Sequence, residues 1–144
     1  MREILFRGKR KDNSEWVEGY YADVAKNNMI LTGRIDITET IGAEMFRIIP
    51  ETVGQYTGLT DKNGKKIFEG DIVNCVYDGD LRTYIVVWDK EELDFKAISS
   101  EESYRHSVQY LCCCDEVEII SNTFDNPELM DRLNGRRGRA CGKG

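Results

Sequence analysis

No run of apolar residues in this chain approaches the ~20 needed to carry a helix across a bilayer. The opening stretch "MREILFRGKRKDNSEW" is basic at its start but has no apolar core long enough for a secretory signal. The expectation is a cytoplasmic protein, with no membrane partner and with reduced thiols. Proline is nearly missing, at two residues, and histidine occurs once, at His106. The five cysteines, Cys75, Cys112, Cys113, Cys114 and Cys141, are odd in number and clustered. That pattern excludes a disulfide framework of the small secreted kind. It also lacks the paired CxxC knuckles of a structural zinc site, because Cys75 and Cys141 stand alone. No cofactor and no metal are expected, and chelation should leave the melting temperature where it is.

Familiar catalytic motifs are missing too. There is no GxSxG nucleophile elbow. The glycines Gly58, Gly64 and Gly70 recur every six residues, but Gly64 is followed by Lys65-Lys66 rather than by Lys and a hydroxyl residue. A phosphate loop also needs a helix after it, and no helical pattern follows. Instead Asn63-Gly64 is a hairpin signal, of the type I′ kind in which both central residues take positive φ. Asp61, Lys62, Lys65 and Lys66 then read as solvated turn charges.

What is present is a globular composition, with 40% hydrophobic and 32% charged residues in 144. One domain of ordinary size follows, expected over 1–135, with a flexible basic tail over 136–144. Period-two patterning dominates. Strands are expected at Arg2–Gly8, Trp16–Val24, Asn27–Gly33, Met45–Pro50, Ile72–Tyr77, Thr83–Asp89, Asp94–Ser100 and Glu116–Asn122. Gly19 suggests a bulge or bend, and Pro50 closes its strand. Gly70-Asp71 reads as a sharp entry into a long strand, and Asp78-Gly79 as a second hairpin turn. "DNPELMDRLNG" carries helix end signals, with Asn126 as N-cap and Gly135 as stop. The segment from Glu101 to Glu116 reads as loop with a turn of helix. The expected fold is mainly β: a small, partly open antiparallel barrel of SH3-like character, with additional strands and one short C-terminal helix. Its core is expected to centre on Ile72, Val76, Ile85, Val87 and Ile119.

The block "PETVGQYTGLTDKNGKKIFEGDIV" at Pro50–Val73, with "ILFRGK" near the start and "DNPELM" near the end, resembles the YopX family. Such proteins are encoded mainly by phages and prophages of Gram-positive bacteria. The resemblance implies a mainly β fold organised around a small barrel, and assembly into oligomers. It supplies no catalytic residue. The positions that match best, Gln55, Tyr56, Thr57, Gly58, Gly64, Glu69, Gly70 and Asp71, are those a turn and a tight strand entry would fix.

The remaining chemical candidates each have a plain reading beside them. If the run Cys112–Cys114 is extended, Cys112 and Cys114 share one face, but small apolar filler beside a strand explains it. His106 can serve as a general base, and so can the acidic pairs Glu91-Glu92, Glu101-Glu102 and Asp115-Glu116-Glu118. Surface charge explains them equally, and a hydrolase-like enzyme is the remoter alternative. A barrel binding single-stranded nucleic acid is the nearer one, with Tyr20, Tyr21, Tyr56, Tyr77, Tyr84 and Trp88 as stacking platforms. Its basic groups would be Arg7, Lys9, Arg10 and Lys11, Lys62, Lys65 and Lys66, and the tail Arg136, Arg137, Arg139 and Lys143. A formal charge of -6 opposes a polyanion. The leading expectation is therefore a non-enzymatic accessory protein that recognises a protein of host or phage, or a copy of itself.

Overall fold

The computed structural model describes residues 3–32, 44–77, 79–98 and 108–129. Among them the chain is mainly β, in two antiparallel sheets, as the alternating sequence requires. It groups into two compact units, Met1–Gly58 and Leu59–Gly144.

The first unit holds β1 (Phe6–Lys9), β2 (Trp16–Val24), β3 (Asn27–Thr32), β4 (Glu44–Arg47) and the start of β5 (Gly54–Thr60). Its strands lie in the order β4-β3-β2-β1-β5. Ala25 and Lys26 both take positive φ, so the turn between β2 and β3 is a tight two-residue one. One face of this sheet is packed around Ile30 and Ile48, both fully buried. Two glycines permit that packing. A Cβ on Gly8 would lie 2.8 Å from Ile48 Cδ1, and one on Gly19 would lie 2.0 Å from the Leu31 carbonyl oxygen. Gly19 thus marks a close backbone approach within an unbroken register rather than a bulge. Pro50 ends the strand region by opening a 3-10 turn, Pro50–Thr52. Thr52 fastens that turn, its hydroxyl accepting the Lys9 amide at 2.9 Å and donating to the Ile49 carbonyl at 2.6 Å.

The second unit contains β6 (Lys66–Phe68), β7 (Asp71–Tyr77), β8 (Asp80–Asp89), β9 (Asp94–Ile98), β10 (Val108–Tyr110) and β11 (Asp115–Asn122). The last five form a sheet in the order β10-β9-β8-β7-β11. Its core gathers Ile67, Val73, Cys75, Tyr84, Val86, Ala97, Leu111 and Val117. This corrects the expected phase of the core. Ile72 and Ile85 are buried as expected, but Val76 and Val87 on their face are only half-buried, while Val73, Tyr84 and Val86 on the opposite face are fully buried, with half-buried Ile119 beside them, opposite Val73. Strands buried on both faces carry no alternation from which the dominant face can be told.

The Asn63-Gly64 stretch forms a turn and not a phosphate loop. Gly64 has φ +82 and is exposed, and its amide donates to the Asp61 carbonyl at 3.0 Å. Asn63 does not take positive φ, so the turn is not of type I′. Asp61 is a second correction. It is 6% exposed, and its Oδ1 accepts the amides of Asn63 and Lys65, both at 2.9 Å. The strand entry reads as expected: Gly70 has φ +90, and buried Asp71 accepts the Phe68 amide at 2.8 Å.

Two elements of the C-terminal part differ from expectation. The segment before Asp115 carries a short strand, β10, and a 3-10 turn, Leu111–Cys113. Because that turn is helical, the cysteine run does not alternate across two faces. Residues 127–129 are helical, with Pro127 first, in line with the expected helix start. The remainder of that helix, the tail, Asp78, Glu101, Glu102, His106 and Cys141 lie outside the described residues.

Candidate functional site

The register of the first sheet decides which side chains share a face, because residues directly opposite in a ladder point the same way. Tyr20 pairs with Leu31, and Leu31 pairs with Met45. These three form one row across β2, β3 and β4. Beside it run Ala22, Met29 and Arg47, again directly opposite one another. Further along the same face, Glu18 stands opposite Arg7, and Trp16 opposite Lys9. The other face holds Phe6, Gly8, Val17, Gly19, Ile30 and Phe46, which is the packed side.

The first face is open. Tyr20 is 58% exposed and Met45 48% exposed, while Trp16, Ala22, Met29 and Leu31 are half-buried. An apolar row with an exposed tyrosine and methionine at its ends is not what a sheet needs for its own stability. Its cationic edge is organised. The Arg7 guanidinium lies 4.5 Å from the centroid of the Trp16 ring and the Lys9 ammonium 5.5 Å from it. These are cation–π distances. Arg10, on the packed side, is turned inward over the Phe46 ring at 4.2 Å and bonded to Asp12 at 2.9 Å. The basic cluster Arg7-Lys9-Arg10-Lys11 is therefore split between the two faces of its sheet.

The other sequence candidates do not converge. Tyr56 and Tyr84 are buried, and Trp88 packs edge-on against Phe95 at 4.8 Å. Tyr21 belongs to the packed side, beside Phe6 at 5.8 Å, with its hydroxyl bonded to Asn28. Of the acidic pairs, Glu92 is 2.9 Å from Lys96, the Glu91 amide donates to Asp89 at 2.9 Å, and Glu118 is 3.2 Å from Lys62. Each is a local pairing around a turn or strand end. Lys96 is held above its usual range, with the Asp89 carboxylate as the main cause and Glu92 second. Among the described residues no three of His, Cys, Asp and Glu gather around one point as metal ligands would.

Sequence reasoning found Tyr20 as a strand aromatic and Arg7 and Lys9 as basic. It did not find Leu31, Met45 or the row. The only available signal was the alternation of Trp16, Glu18, Tyr20 and Ala22, which gives a shared face but not the neighbours on it.

A mainly β protein of two antiparallel sheets, one with an open apolar face, is thus defined. The chain matches the family model described as YopX protein over residues 5–131, and it belongs to the YopX family. No curated protein matches it. Among the described residues, no helix is long and apolar enough to cross a membrane.

Proposed function

We propose that this YopX-family chain is a non-enzymatic recognition module of phage or prophage origin, and that the open face of its first sheet holds a protein partner. The exposed Tyr20–Leu31–Met45 row carries this reading. Tyrosine and methionine are the side chains that interfaces favour, the first for rigid amphipathic area and the second for adaptable packing. The partner is a protein with an apolar contact and acidic flanks, complementary to Arg7, Lys9 and Arg47 on the same face.

Two features weigh against nucleic acid at this face. Arg7 and Lys9 already lie over the Trp16 ring, so a base stacking there would compete with them for it. Glu18 stands beside them, opposite Arg7. A second copy docking face to face is disfavoured as well. An isologous contact would bring Arg7, Lys9 and Arg47 of both copies into one interface, doubling its positive charge.

The test uses the full chain and a Tyr20→Ser/Met45→Lys double variant, with Leu81→Ser, an exposed residue of β8, as control. A partner captured by the wild type and by Leu81→Ser is expected to be lost from the double variant. It is also expected to protect β2, β3 and β4 amides from exchange. Equal capture by all three chains would overturn the reading. So would tight oligonucleotide binding at ~0.15 M salt, or a dimer by light scattering that the double variant dissolves.

A further inference from the structure

The run Cys112–Cys114 covers the 3-10 turn Leu111–Cys113 and the residue that follows it. Leu111 anchors the turn, 2% exposed in the core of the second sheet, and the Cys114 amide closes it on the Leu111 carbonyl at 3.2 Å. Cys114 itself packs half-buried against that core. Cys112 and Cys113, between them, are exposed, and their sulfurs are in contact, Sγ to Sγ 3.9 Å. In an extended strand adjacent side chains would point to opposite faces. The turn instead brings these two sulfurs together in solvent.

We propose that Cys112 and Cys113 are a vicinal dithiol site that binds trivalent arsenicals. Two exposed thiols this close can be joined directly or through a third atom. Direct joining is strained, because adjacent Cα atoms are ~3.8 Å apart and disulfides usually span ~4.4–6.8 Å. One inserted atom enlarges the ring and relieves that strain. The atom must be soft, since thiols select soft partners, and two protein ligands must satisfy it. Zinc does not qualify, because a structural zinc takes four ligands, and among the described residues no three metal-ligating side chains gather around one point. Trivalent arsenic that carries one organic group does qualify, since its two remaining bonds go to two sulfurs. A pair already held in contact also loses little freedom when it is bridged.

The exchange balances without an oxidant. The arsenical enters as its neutral dihydroxide. Each sulfur forms an As–S bond as an As–O bond breaks, and each thiol proton leaves with a hydroxide as water. Two waters are released, and arsenic stays trivalent. The Cys113 contact, with the Asp94 carboxylate adding to it, pushes the Cys112 thiol up. The pair is thus presented protonated, the form that this exchange consumes, and the nearby carboxylate favours a neutral reagent over an anionic one.

The experiment titrates the reduced full-length chain with phenylarsine oxide and reads the intact mass and the free thiols. One arsenical per chain is expected, with the loss of two free thiols. Dimercaptopropanol is expected to strip it, whereas mercaptoethanol at the same thiol concentration leaves it bound. Cys112→Ser and Cys113→Ser are each expected to lose it at an unchanged melting temperature, because both side chains are exposed. Cys141→Ser and Cys114→Ser are expected to keep it, with Cys114→Ala as a second variant in case a hydroxyl disturbs the core. A wild type that takes up no arsenical would overturn the assignment. So would retention by Cys112→Ser or Cys113→Ser, loss in a folded Cys114 or Cys141 variant, or release by the monothiol.

Discussion

The Asp61 carboxylate accepts the backbone amide of Ile119 at 3.1 Å, a contact spanning 58 positions of sequence. With its other oxygen on the amides of Asn63 and Lys65, Asp61 ties the hairpin turn to the last strand. The Lys62 amide adds a bond to the Val117 carbonyl at 2.8 Å. Asp61→Ala leaves three partly buried amide donors without this acceptor, and the loss is expected to cost about 1–3 kcal/mol in total. Asp61→Asn is expected to be milder, because its amide oxygen still accepts. Urea denaturation of both variants checks the order.

The same group predicts a limb of acid sensitivity. Burial raises the Asp61 pKa, but the amides of Ile119, Lys65 and Asn63 and the Lys65 charge outweigh it and hold the carboxyl below 3.8. A depressed folded-state pKa gives stability that is present above 3.8 and lost as pH falls through the lower folded value. Stability measured from pH 5 downward is expected to fall less steeply in Asp61→Asn than in the wild type. Identical slopes would remove Asp61 from the account.

Gly64 separates backbone strain from crowding. A Cβ there meets nothing within 4 Å, while φ is +82. Gly64→Ala is therefore expected to cost about 1–2 kcal/mol from left-handed backbone alone. Gly64→Asn should cost less and Gly64→Val more. A thermal melt in which Val is tolerated as well as Asn would contradict the turn.

The phase of the second sheet is open to a direct comparison. Val86 is fully buried and Val87 half-buried. Val86→Ala is expected to cost about 2–3 kcal/mol, and Val87→Ala about 1, by the transfer-plus-cavity argument. The reverse order would restore the phase expected from sequence.

Lys96 holds two carboxylates, Asp89 at 2.8 Å and Glu92 at 2.9 Å. Its ammonium is the main cause that keeps the Asp89 carboxyl below 3.8. In Lys96→Met the Asp89 carboxyl is expected to titrate higher, as followed by carboxyl NMR. An unmoved Asp89 would show that the backbone amides of Glu91 and Glu92 suffice to hold it.

The parts of this fold that were legible in the sequence are those fixed by local chemistry. Gly64 at a turn tip and Gly70-Asp71 at a strand entry follow from φ and from one carboxylate reaching back three residues. Long-range partnerships were not legible. Asp61 looks like any turn aspartate until the Ile119 amide is beside it. The same holds for the open face: Tyr20 announces itself, but Leu31 and Met45 become its neighbours only through the register. β10 was missed because it is a three-residue strand that gains its place from the β9 edge.

Gly19 offers a way to disable the open face from behind. A methyl at that position would run into the Leu31 carbonyl oxygen, and Leu31 is the middle member of the Tyr20–Leu31–Met45 row. Gly19→Ala would displace the keystone of that row while leaving every outward-facing atom chemically intact. A chain so altered would be a decoy, with the right surface residues in the wrong places.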